Sequence, residues 1–157
     1  MGFFSFIANL FRSKPIPTWP SKNVTFGFRK YSANDRFPVS EYYKEIFRKA
    51  AKEWNDKTCI SLTESTNPDI LVSMRDMEGN QIGFGYFPGQ FRGGDIDFDS
   101  SDREWTDELF HKVALHEIGH SLGLKHSPSK RAIMYRKITA VNELHEYDIE
   151  KLNKLYS

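Results

Sequence analysis

Hydrophobic positions along the chain change period several times. Val24-Thr25-Phe26-Gly27-Phe28 alternates as a half-buried strand does, and from Ser40 to Asp56 the apolar residues Tyr43, Ile46, Phe47, Ala50, Ala51 and Trp54 recur at helical spacing. Ile60 to Thr63 and Ile70 to Met74 return to period two, separated by the turn-forming Thr66-Asn67-Pro68-Asp69. Six glycines then fall between Gly79 and Gly94, with Ile82, Phe84, Tyr86 and Phe87 among them, before the run Asp95-Ile96-Asp97-Phe98-Asp99. This stretch predicts two short strands joined by a glycine-rich turn. Ser101 or Asp102 is expected to cap a helix from about Arg103 to Leu124, with Trp105, Leu109, Val113, Leu115, Ile118 and Leu122 as its core contacts. A last helix is expected over about Leu144 to Tyr156, burying Ile149, Leu152 and Leu155.

The first twenty residues follow another pattern. Phe3, Phe4, Ile7, Leu10 and Phe11 lie near one helical face, so residues 1–11 read equally as a segment docking on a membrane or partner and as a helix packed on its own domain. No positive residue precedes them and Arg12 and Lys14 follow, which is not the order of a signal peptide, and no apolar run is long enough to span a bilayer. Lys14 to Pro20 holds three prolines and reads as an extended connector, leaving 21–157 as one domain.

Composition narrows the function classes. With 22 Lys and Arg against 21 Asp and Glu, the formal net charge is +1, so no one-signed field calls for nucleic acid. The single cysteine, Cys59, forms no internal disulfide, and its place in an alternating segment predicts a buried small hydrophobe.

The chemistry concentrates in His116-Glu117-Ile118-Gly119-His120-Ser121-Leu122-Gly123-Leu124-Lys125-His126. On a helix, His116 and His120 lie about 40° apart around the axis, so both imidazoles project toward one point. Catalytic zinc takes three protein ligands and one water. Gly123 can adopt the left-handed conformation that ends a helix and turns the chain to present His126 to the same metal. Glu117, beside the first ligand, is placed as general base for the water and as proton carrier to the leaving amine. H-E-x-x-H alone is weak, since such a cluster is often a surface ion pair. The extended pattern arises by chance in roughly one chain in 10⁴ to 10⁵ of this size.

Here the sequence resembles the metzincins and, within them, the matrixins, the catalytic domains of matrix metalloproteinases. Val113-Ala114-Leu115, Ser121 to Leu124 and Ser127 are similar to matrixin sequence around the zinc motif, and Ala132-Ile133-Met134-Tyr135 falls where matrixins carry their Met-turn. The resemblance extends to Ala50, Trp54, Asp69 to Val72, Ile82 to Gly89 and Gly93 to Asp99. It implies an α+β fold: a twisted, mostly parallel five-stranded sheet with one antiparallel edge strand and three helices. It also implies a zinc endopeptidase acting on extended polypeptide, with Met134 beneath the metal, Ile82 and Gly83 pairing with the substrate backbone, and Tyr135 in the specificity pocket. Calcium ligation is implied at Asp69 and Asp95 with the carbonyls of Phe91 and Gly93, surface carboxylates at loop ends being the bland alternative; Asp99 and Asp102 make a thinner second case. Two strand positions depart from the family: Phe84 and Asp97 stand where matrixins hold a structural zinc with histidines, so that second zinc is not expected. His111 and His145 are expected to be partly exposed bystanders. A monomer is expected.

Two other classes compete: a zinc-containing binding module without turnover, and a protein whose role lies in membrane or partner docking through residues 1–11. An intact Glu117 and a three-ligand motif argue against both, because a structural zinc site normally closes with a fourth ligand.

Overall fold

The computed structural model describes residues 17–101 and 104–157. The apolar segment 1–11 and the expected cap Asp102 therefore lie outside the described residues. Five strands form the sheet: β1 (Asn23–Phe28), β3 (Ser61–Glu64), β4 (Ile70–Arg75), β5 (Gly83–Gly85) and β6 (Ile96–Asp99). Their order is β3-β1-β4-β6-β5, with all neighbours parallel except the β5–β6 pair at the edge. A two-residue strand that the sequence did not signal, β2 (Arg36–Phe37), pairs antiparallel onto β4. Three helices are present among the described residues: α1 (Glu41–Lys57), α2 (Asp107–Ser121) and α3 (Glu146–Leu155). No described helix is long and apolar enough to cross a membrane.

The core lies between the sheet and the pair α1 and α2. Alternate positions of a strand share a face, and Ile70 and Val72 of β4 with Ile96 and Phe98 of β6 supply the middle of the core. Helix α1 buries Phe47, Ala50, Ala51 and Trp54, and the Trp54 indole donates to the Leu115 carbonyl of α2 at 3.1 Å. Aromatic rings fill the remaining gap, with Phe110 stacked on Tyr43 at 4.6 Å and tilted against Phe98 at 4.5 Å.

Three local expectations need correction. Helix α2 starts later than expected, at Asp107, because Thr106 caps it by accepting from the Leu109 N–H at 3.1 Å. Trp105 stays outside the helix, its indole donating to the Asp99 carbonyl, and the Ser101 hydroxyl donates to the Asp99 carboxylate instead of capping. Helix α3 is shorter than expected, with His145 as its cap. Cys59 is exposed, not buried. Ile60 and Leu62 face inward, so strand alternation turns residue 59 outward.

The chain contacts the domain before β1. The Trp19 indole donates to the Ser121 carbonyl at 2.8 Å and lies over Gly94, where an added Cβ would come within 2.3 Å of the ring. Trp19→Phe keeps most of the packing and loses that hydrogen bond. Chemical denaturation is expected to show a loss of about 1 kcal/mol.

Phe84 and Asp97 are register partners across β5 and β6. Asp97 is fully buried, and the Arg36 guanidinium binds both its carboxylate oxygens, with Nη2 3.1 Å from Oδ2. Arg75 approaches to 3.7 Å, and Arg36 also reaches the Tyr86 hydroxyl. The position thus holds an ion pair with Tyr86 and a phenyl ring, a donor set that does not fit a zinc ion.

Candidate active site

Helix α2 ends directly under the cleft. Gly123 has φ of 103°, its N–H bonds the His120 carbonyl and the Leu124 N–H bonds the Gly119 carbonyl, each at 2.9 Å. This pair of bonds ends the helix and redirects the chain, so that His126 comes back over the last turn. His116, His120 and His126 each offer a ligand atom, and these atoms lie within 4.8 Å of one another.

Their hydrogen bonds fix how they present those atoms. His116 Nδ1 lies 2.7 Å from the Ile133 carbonyl and His120 Nδ1 lies 2.7 Å from the Leu124 carbonyl. A carbonyl can only accept, so both Nδ1 atoms carry the proton and both Nε2 atoms carry lone pairs. The lone pair of His120 Nε2 lies 3.2 Å from His126 Nε2, close enough for the two nitrogens to serve one cation. Burial lowers the pKa of all three: His120 falls to about 4, with the charge of His116 adding to burial, and Arg136 adds to the shift at His126. Neutral imidazoles are the form that binds metal. These residues fit zinc.

The three pKa values lie below the ordinary 6.5 in the folded chain, so the unfolded chain binds these protons first. Stability carried by the neutral histidines is complete above pH 6.5 and is lost as pH falls below it, the part due to His120 down to about 4. Metal-free protein is accordingly expected to show a falling melting temperature across that window, and zinc to raise the melting temperature at pH 7 but not at pH 4.5.

Glu117 is only 7% exposed, and its Oε2 accepts from the Gly85 N–H at 2.7 Å. Burial pushes its carboxyl up to about 7, against the pull of that hydrogen bond. A bound dication would draw the value back down. The contact exists because β5 lies against α2: a Cβ at Gly85 would come within 2.4 Å of the Glu117 carbonyl oxygen.

Edge strand β5 alternates its peptide groups. The Ile82 carbonyl accepts from Asp99 and the Tyr86 N–H donates to Asp95, so the residues between them alternate. Gly83 and Gly85 turn their peptide groups to the cleft, while the Ile82 carbonyl is already committed inward. Ile82, Gly83 and Tyr135 all line the cleft, which encloses about 1130 Å³. Met134 is buried with its sulfur under Gly119, where an added Cβ would come within 2.3 Å.

One residue of the site escaped the sequence reading. Asp148 on α3 is 1% exposed and accepts from the N–H groups of Ile133, Met134 and His145. It therefore holds the loop whose Ile133 carbonyl orients His116. Its signal was the spacing of a capping box with His145, which concerns only the helix start.

The residues expected to bind calcium are already engaged. Asp95 accepts from the Leu71 N–H and faces the Arg92 guanidinium at 3.1 Å, while one oxygen of Asp69 accepts from both the N–H and the hydroxyl of Thr25. Phe91 and Gly93 lie on the loop carrying Arg92. Asp95 is thus paired with a cation of the protein at the carboxylate on which calcium would also draw. Asp99 accepts from Met77 and Ser101. His111 and His145 are partly exposed, as expected; His111 faces Glu53 at 3.7 Å.

Residues 18–157 match the family profile described as Matrixin. The chain is 31% identical to Matrilysin of Rattus norvegicus over 162 residues, which is 89% of this chain and 59% of that protein. It is 31% identical to Matrilysin of Felis catus over 166 residues, covering 92% and 62%, and 30% identical to Interstitial collagenase of Oryctolagus cuniculus over 159 residues, covering 89% and 33%. The chain thus spans less than two thirds of each of these relatives.

Proposed function

The chain belongs to the matrixin family of peptidases, and from that premise we propose that it is a zinc-dependent endopeptidase with His116, His120 and His126 as metal ligands and Glu117 as general base. The observation that carries this reading is the convergence of three imidazoles, two of them with Nε2 atoms 3.2 Å apart, beside a buried carboxylate. Bound zinc would supply Lewis-acid polarisation of the peptide carbonyl and of the attacking water.

The rest is the work of the chain. Gly83, with Ile82 beside it, offers the cleft edge along which an extended substrate is held as an added strand, the Gly85 N–H being taken by Glu117. The close approach of β5 to α2 buries most of Glu117, and the Gly85 N–H holds its carboxylate in one position at the cleft, where it can accept and return a proton. Glu117 takes the proton of the attacking water and delivers it to the departing amine. Asp148 keeps His116 oriented through the Ile133 carbonyl, and Met134 floors the site. A binding module without turnover would have no use for a base in this position.

Purified chain is expected to degrade an unfolded protein such as casein, and a chelator to stop this. Zinc analysis should find one zinc per chain, lost in His120→Ala. Chelator-insensitive cleavage, or zinc retained in that variant, would overturn the assignment.

A further inference from the structure

Charge in the cleft departs from the balance of the whole chain. Cations and anions are nearly equal overall, yet the cleft is lined by Lys112, Lys125, Arg136 and Lys137 against one carboxylate, Glu117. That carboxylate is engaged by Gly85 and committed to proton transfer. A concave site lined by one sign of charge concentrates ligands of the other.

Lys112 occupies the telling position. It sits one turn before His116 on the same face of α2, and its side chain is 12% exposed. Its ammonium donates to the Thr139 carbonyl at 2.7 Å, and Glu108, itself largely exposed, is 3.8 Å away. An ammonium carries three donors, so the Thr139 bond leaves capacity for another acceptor. The loop that presents Thr139 follows Met134 and Tyr135 and also brings Arg136 and Lys137 to the cleft wall. One largely buried cation inside the pocket and exposed cations on its rim suit an anionic side chain.

Resting on the peptidase reading above, we propose that the cleft selects polypeptides carrying a Glu or Asp side chain next to the scissile bond, with Lys112 as the specificity-determining residue. The rim cations steer such segments into the cleft, and Lys112 receives the carboxylate. Replacing that carboxylate by an amide keeps its shape and removes its charge, which isolates the electrostatic part of the selection.

The test compares zinc-loaded wild type on peptides with Glu, Gln or Leu at each position flanking the scissile bond. At one of these positions, Glu is expected to exceed Gln and Leu in kcat/KM by about tenfold at low salt, and the margin to shrink as salt rises. Lys112→Met is expected to bring the Glu to Gln ratio near one, and Lys112→Arg to keep it; circular dichroism establishes that each variant folds. Preference for Leu over Glu at both positions, a salt-independent ratio, or an unchanged ratio in folded Lys112→Met would overturn the proposal while leaving peptidase function intact. If no peptide is hydrolysed, the peptidase reading fails by itself. The pocket is then judged by fluorescence anisotropy of the same peptides on zinc-loaded Glu117→Gln: tighter binding of the Glu peptide than of its Gln twin supports the selection, and equal binding overturns it.

Discussion

Glu117→Gln is expected to lower kcat/KM on an unstructured peptide by about a thousandfold while one zinc per chain is retained. The size follows from the role: loss of a positioned general base removes proton transfer from the transition state, and the metal alone leaves a residual rate. Gln is chosen because it preserves shape. Its side-chain oxygen can still accept from the Gly85 N–H, the bond that Glu117 makes at 2.7 Å, so β5 should keep its place against α2. A buried carboxyl that titrates near 7 is also replaced by a group that does not titrate, so the fold should hold or gain. A fluorogenic peptide assay with metal analysis checks the two halves separately. A loss below tenfold would remove Glu117 from the mechanism, whereas a loss accompanied by missing zinc would make it a support of the metal site.

Asp148→Ala is expected to destabilise the protein by about 4 kcal/mol and to weaken zinc binding, although residue 148 touches no ligand. Three buried N–H groups lose their charged acceptor, and bonds to an ionised carboxylate contribute about 1.5–3 kcal/mol each without adding fully. For a chain of this size the melting temperature should drop by roughly 10 °C. The effect on zinc follows because Ile133 supplies both one of those N–H groups and the carbonyl that fixes His116 Nδ1. Partners that orient a ligand from behind typically matter about 10- to 100-fold in metal affinity. Competition with a chromophoric chelator measures this at a temperature where the variant remains folded. Unchanged affinity would mean that the loop keeps its shape without the carboxylate.

These two residues mark how differently parts of the site could be read in advance. The pairing of His116 and His120 was legible because helical spacing alone brings positions four apart to one face. Gly123 was legible because only a glycine readily takes the turn that returns His126. Asp148 was not, since its partners Ile133 and Met134 lie 15 and 14 residues away and its own neighbourhood signals only a helix start. Cys59 was misread although its neighbours held the answer: Ile60 and Leu62 set the phase, and the phase turns residue 59 outward.

The sequence by itself determined the order of the three helices and of every strand but β2, the spacing of His116, Glu117, His120 and His126, and the departure at Phe84 and Asp97, because each is written in local spacing or residue type. Only the tertiary structure decided what occupies that departure. Arg36 and Asp97 are 61 residues apart, and two strands had to pair with β4 before one could neutralise the other. Folding likewise decided that Gly85 would donate to Glu117 and that Lys112 would meet Thr139, since each joins a helix to a segment packed against it from elsewhere in the chain. Local spacing fixes which groups are present on a face; packing of distant segments fixes which partners they meet and how much water is left between them.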